Sequence, residues 1–178
     1  DEYSAMTLSE RTRATKERFL AQTDVETVEL IGSGLEDLAA SHPAGRALGP
    51  GTQAPDFERS DVRGDSVRLS RWLESGPVVL SFYRGGWCPF CSLELRAWAE
   101  QAGALHAAGA ALIAISPEAA DQAAASETGW DPPFAVLTDA DHGVAEAYGL
   151  TFELSTAART AQRRLDAPLD RLNADGTW

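Results

Sequence analysis

Cysteine is almost missing from this chain: 178 residues hold two, with one methionine and three histidines. So few thiols exclude a disulfide-stapled scaffold, and His42, His106 and His142 lie too far apart in sequence to complete a zinc site around the pair. They read as surface or turn residues rather than general bases. Positive charge is scarce as well. Fifteen Lys and Arg against 27 Asp and Glu leave a formal net charge of −12, and no basic cluster is dense enough to neutralise phosphates, which argues against nucleic acid. No apolar run approaches the roughly 20 residues that span a bilayer, so no membrane partner is expected. Asp1-Glu2-Tyr3-Ser4 is not the basic-then-apolar opening of a secretion signal. The missing initiator methionine points to processing or a cut boundary, which leaves native targeting partly open.

What the chain does have is a hydrophobic content of 44%, enough for one compact domain with a substantial core. It also has both cysteines in one stretch, Phe82-Tyr83-Arg84-Gly85-Gly86-Trp87-Cys88-Pro89-Phe90-Cys91. Before it, Pro77 to Tyr83 is short, apolar and β-branched, as in a strand covered on both faces. After it, Leu95, Trp98, Ala102 and Leu105 recur at helical spacing. The Cys-X-X-Cys therefore sits on a strand-to-helix turn. Free amides and the positive end of the helix dipole there favour a thiolate, lowering its pKa from about 8.5 toward neutrality. Gly85 and Gly86 permit close backbone approach, Pro89 suits the first helical turn, and Arg84 can add a cation beside the sulfur. Two cysteines so placed fit a redox pair in a reducing compartment, and the cytoplasm is the expected location.

The same ten residues, followed by Ser92-Leu93-Glu94-Leu95-Arg96, resemble the active-site segment of the peroxiredoxin-like proteins of the alkyl hydroperoxide reductase and thiol-specific antioxidant (AhpC/TSA) family. Ala54-Pro55-Asp56-Phe57 is similar to the family's entry motif, and Ala114 to Glu118 to its second core strand and loop. Phe134 to Asp139 with Val144 to Leu150 is similar to its third segment. The resemblance implies a thioredoxin-like α/β fold with a central, mainly parallel sheet flanked by helices. It also implies a thiol peroxidase with no organic cofactor and no metal, a peroxide substrate, a thioredoxin-like protein or low-molecular-weight thiol as reductant, and a homodimer. Counting from Phe82-Tyr83, the family's Pro-X-X-X-Thr-X-X-Cys places Arg84 at the proline, Cys88 at the threonine and Cys91 at the peroxidatic cysteine. Cys91, Cys88 and Arg84 are the expected catalytic residues. Trp87, Pro89, Phe90 and Glu94 are the expected substrate-binding ones.

In order, residues 1–48 read as a helical arm and 49–178 as the domain. Thr7 to Phe19 is an exposed helix; Val25 to Leu38 continues with a break at Gly32 and Gly34, which lack the lysine and strand context of a phosphate loop. Phe57 to Val62 and Ser66 to Leu69 form a hairpin through Arg63-Gly64-Asp65. Ser70 is the expected cap of a short helix containing Trp72 and Leu73. Strands follow at Ala110 to Ser116 and Phe134 to Leu137, with helices at Glu118 to Glu127, Val144 to Tyr148 and Ser155 to Leu165. Asp139 and Asp141 share part of a calcium-loop spacing but read as a turn. Asp166 to Trp178 is polar and turn-rich, so the C-terminal part of the fold, including the family's cis-proline strand, is expected to be missing. Three readings stay open. Cys91 attacks a peroxide and Cys88 resolves; or Cys88, as the more exposed sulfur, attacks a disulfide and Cys91 resolves; or the pair reports redox state without turnover.

Overall fold

A computed structural model describes residues 6–41, 43–126 and 131–177. The first helix, α1 (Leu8–Gln22), begins with a reciprocal cap. Thr7 Oγ1 accepts the Glu10 amide at 3.3 Å, and the Glu10 carboxylate accepts the Thr7 amide at 2.8 Å. Little of α1 is apolar, and it is tied to α4 (Pro89–Ala107) by the Arg11 guanidinium, which donates to both Glu100 oxygens at 2.7 and 2.8 Å.

Helix α2 (Val25–Ala40) runs unbroken through Gly32 and Gly34, where the sequence predicts a break. The reason lies 120 residues away in sequence, in α7 (Thr156–Arg164). A Cβ at position 34 would stand 2.8 Å from Ala158 Cβ, so Gly34 serves the close approach of two helices rather than a bend.

The hairpin is present as β1 (Glu58–Ser60) paired antiparallel with β2 (Ser66–Arg68). In α3 (Leu69–Leu73), Ser70 lies inside the helix and is not its cap; Arg68 holds that position. Asp56 does the capping from outside, accepting the Ser70 amide and hydroxyl at 2.8 Å each.

A parallel sheet carries the core. Its order is β3 (Val78–Phe82), β4 (Ala111–Ser116), β5 (Ala135–Thr138), with Leu80 beside Ile113 and Ile113 beside Ala135. Side chains alternate faces along a strand, and β4 shows the consequence. Ile113 and Ile115 join Val67, Leu137 and Val144 on one side, while Ala114 joins Tyr83, Leu95 and Val136 on the other. Ile113, Ile115 and Leu137 are sealed from solvent, each contributing about 1.5–3 kcal/mol by leaving water.

Helix α5 (Ala120–Ser126) starts two residues later than expected, because Glu118 instead bridges to Asn173; residue 127 lies outside the described residues. The Asp139 turn leads into α6 (Gly143–Ala147), its carboxylate accepting the Val144 and Ala145 amides at 3.0 and 2.8 Å and Arg59 Nε at 3.1 Å. The turn is as expected; the hold of its carboxylate on the first amides of α6 is added by the structure. Past α7, whose cap is Ser155, the chain forms α8 (Leu169–Leu172) and returns to β4's end, with Ala119 N donating to Leu172 O and Ala174 N to Pro117 O. Among the described residues no helix is long and apolar enough to cross a membrane.

Candidate active site

Strand β3 delivers the chain to this site and α4 carries it away. Tyr83 N still donates to Ile115 O at 2.9 Å, holding the strand end in register. The turn then reverses through Gly85 at φ +144, a conformation closed to side chains, and Cys88 N donates back to Gly85 O at 3.1 Å. Cys88 is the residue that caps α4 and Pro89 is its first helical residue, where no amide donor is needed. Ser92 Oγ donates to the Gly86 and Cys88 carbonyls at 3.2 and 3.3 Å, binding the turn to the helix.

Both sulfurs are free thiols. Cys88 is 3% exposed, whereas Cys91 is half-buried against Tyr83, Leu95, Ala114 and Val136. The expectation that Cys88 is the more exposed sulfur is thus reversed, because the turn folds back on itself at Cys88, whose amide donates to Gly85 O, while Cys91 lies one helical turn further on. Cys88 is nonetheless the sulfur that gains charge. Its pKa falls to about 6, first because the Cys91 thiol donates to it, against the opposing effect of burial, and then through the amides of Cys91 and Phe90 and the Arg84 cation. Those amides face it without a capping hydrogen bond of normal geometry. The same hydrogen bond, with burial, pushes the Cys91 thiol up. Two such strongly interacting groups lose their first proton as a pair.

Arg84 acts twice. Its amide donates to Cys91 Sγ at 3.5 Å, and its guanidinium carbon lies 4.6 Å from the centre of the Trp87 ring. With its amide oxygen turned toward Arg84, Gln162 of α7 accepts from that guanidinium at 2.7 Å and donates to Ala167 O at 3.3 Å. Trp87 folds back over Gly85, where a Cβ would stand 2.3 Å from its Nε1.

The four expected substrate-binding residues do not converge. Trp87, with Arg84, borders a cavity of about 560 Å³ at the strand ends, walled by Ser116, His142, Phe152 and Leu154. Phe90 and Glu94 line a second cavity of about 700 Å³ between α1 and α4, and Pro89 is exposed. Glu94 turns to the strand rather than to the sulfurs, its Oε1 accepting from Ser81 Oγ at 3.3 Å. His142 pairs with Asp175 at 3.1 Å, and among the described residues no three His, Cys, Asp or Glu side chains gather as for a metal. His42 lies outside the described residues.

Two residues of the site escaped the sequence reading. Gln162 carries no signal at all. Glu118 has one: it follows β4, the strand parallel and adjacent to β3, so both strands end at the same sheet edge. It is 1% exposed and accepts the Gly86 amide at 2.9 Å; burial raises its pKa against the effect of the Gly86 and Trp87 amides.

Comparison with known proteins places this geometry among relatives. The sequence model of the AhpC/TSA family matches residues 50–164, more than half of the chain. A protein of Mycobacterium tuberculosis strain H37Rv that carries a peroxiredoxin name is 28% identical over 115 residues, 65% of this chain and 73% of that protein. Peroxiredoxin Bcp of Bacillus subtilis strain 168 is 29% identical over 98 residues, 55% of this chain and 62% of that one. The crystal structure of Peroxidoxin BcpB from Mycobacterium tuberculosis superposes with a TM-score of 0.53 at 31% identity, over 56% of this chain and 64% of that one. The chain thus spans just under two thirds of the latter two.

Proposed function

From the premise that this chain belongs to the AhpC/TSA family and carries its thioredoxin-like fold, we propose that it is a thiol-dependent peroxidase working through Cys88 and Cys91. The observation that carries the reading is a free thiol pair at the start of α4, with the Arg84 amide donating to Cys91 Sγ at 3.5 Å; the same surroundings lower the Cys88 pKa. The charge passes between the sulfurs across their hydrogen bond. Cys88 is closed to solvent and Cys91 is not, which makes Cys91 the sulfur a peroxide meets.

Cys91 thiolate attacks one peroxide oxygen; the S–O bond forms as the O–O bond breaks, and the departing alkoxide or hydroxide takes up a proton. Cys88 then attacks the Cys91 sulfenic sulfur, releasing water and leaving a disulfide. A thioredoxin-like dithiol protein, or two equivalents of a small thiol, returns both sulfurs to thiols and leaves as a disulfide. The Arg84 amide at Cys91 Sγ supports the anion in the first step. Trp87, Pro89, Phe90 and Glu94 are the surrounding contact residues for peroxide or reductant. The protein acts in the cytoplasm as a homodimer.

The test is the second-order rate of the reduced protein with hydrogen peroxide. Fast consumption that survives in Cys88→Ser for one turnover and vanishes in Cys91→Ser supports the assignment; a rate no better than free cysteine sinks it. One observation favours a second reading. Because the charge rests on Cys88 in the resting pair, disulfide exchange initiated by Cys88 follows if insulin reduction depends on Cys88 and peroxide is ignored.

A further inference from the structure

Two carboxylates are buried among the described residues, Asp139 and Glu118, each 1% exposed. Asp139 has Arg59 as counter-charge; Glu118 has no cation among the described residues. A carboxylate taken from water without a cation is costly, so the groups that hold it must compensate. For Glu118 they are backbone amides of the turn before Cys88: Gly86 at 2.9 Å, with Trp87 beside it.

We propose that Glu118 is a positioning residue for the sulfur pair: its carboxylate clamps the Gly86–Trp87 segment from outside the Cys-X-X-Cys and thereby sets how readily the pair ionises. This rests on the reading of Cys88 and Cys91 as the reacting sulfurs. The turn needs such a clamp. Between the Tyr83 amide on Ile115 O and the Cys88 amide on Gly85 O, it contains two adjacent glycines with no side chains of their own, and besides the Ser92 hydroxyl on Gly86 O the Glu118 carboxylate holds it. The amide that reaches Cys91 Sγ, at 3.5 Å, belongs to Arg84, one residue before those glycines. A displacement at Gly86 is passed along the turn to that amide and to the Cys88 amide on Gly85 O. An ionised acceptor holds an amide roughly twice as strongly as a neutral one, which is what a carboxylate supplies and a glutamine does not.

Acidification releases the clamp. Burial raises the Glu118 pKa, so the carboxylate is neutralised at a higher pH than an ordinary one and the turn loosens there. Among the described residues, the titratable groups on the elements around it are Arg84, Cys88, Cys91, Glu94, Arg96, Glu100 and His106 on the turn and α4, Asp121 on α5, and Asp170, Arg171 and Asp175 on the returning C-terminal segment. None of them is among the causes of its shift.

The sign of one substitution separates clamping from plain charge repulsion. Iodoacetamide alkylation against pH reads the thiols without peroxide. In Glu118→Gln the midpoint of the profile moves up by half a pH unit or more and the rate at pH 6 falls at least threefold. A fall in midpoint means that Glu118 merely repelled the thiolate, and an unchanged profile means that it does nothing to the pair; either overturns the proposal. A second measurement keeps Glu118 in place. In the ¹⁵N-labelled Cys88→Ser/Cys91→Ser protein, where no thiol titrates, the Gly86 amide proton shifts as Glu118 protonates; a flat Gly86 resonance across that range overturns the proposal even if Glu118→Gln does not fold. A moved alkylation profile in a protein that ignores peroxide removes the peroxidase reading and leaves the clamp standing.

Discussion

Replacing Gly85 with alanine tests the geometry on which the whole site is built. Two separate costs follow from the structure. Holding an L-residue at φ +144 costs about 1–3 kcal/mol, since that region is essentially reserved for glycine. The new methyl would also stand 2.3 Å from Trp87 Nε1 and 3.3 Å from Glu118 Cδ, and overpacking of this kind costs about 1–3 kcal/mol. The indole can swing aside, which relieves part of the second cost but lifts Trp87 off Arg84. The expected loss is therefore about 2–4 kcal/mol, a large fraction of the roughly 5–15 kcal/mol that stabilises a domain. Urea unfolding followed by circular dichroism measures it. Indole emission, compared with the same change in a Trp87→Phe background, reports the swing. Gly103→Ala is the control: position 103 is inside α4 with nothing within 4 Å of its Cβ, so alanine there stabilises by about 0.5–1 kcal/mol. If Gly85→Ala costs less than about 1 kcal/mol on the same scale and leaves the emission unmoved, the turn is not held as described.

Other outcomes follow from the same contacts. The alkylation rate of the wild-type protein is at its plateau above pH 7 and declines as pH drops through about 6, because the Cys88 thiol pKa is lowered; a midpoint near the ordinary 8.5 contradicts this. Gly34→Ala sets a helix-propensity gain of about 1 kcal/mol against a 2.8 Å approach to Ala158 Cβ and 3.1 Å to its backbone nitrogen. Backbone atoms cannot move aside as a side-chain tip does, so the clash wins, and a more stable variant in urea unfolding would show that α2 and α7 do not pack this closely. Ile113→Ala empties the centre of the parallel sheet and costs about 2–5 kcal/mol, measured the same way, while a cost under about 1 kcal/mol rejects the placement of Ile113 in the core.

Several elements were legible because their signals are local. A β-branched run ending in Gly-Gly, then Pro at the first position of an amphipathic stretch, announces strand, turn and helix within about twenty residues, and β3, the turn and α4 stand there. The hairpin and the helix near Ser155 to Leu165 were readable in the same way. Where the reading failed, a distant partner had intervened. Gly34 looked like a breaker until Ala158 supplied its reason. Ser70 looked like a cap until Asp56 took that role from across a loop. Glu118 looked like the first residue of a helix, yet its side chain turned back to the Cys88 turn and its backbone to Asn173.

Taken alone, the amino-acid order determined that two thiols share a strand-to-helix turn, since that depends on periodicity and turn chemistry within neighbouring residues. Only the tertiary structure decided which sulfur is shielded, which one bears the charge, and which acid holds the turn beneath them. Burial and ionisation depend on everything that surrounds a group in space. The groups that surround this site come from the end of β3, from β4, β5, α4 and α7, segments that meet only when the chain has folded.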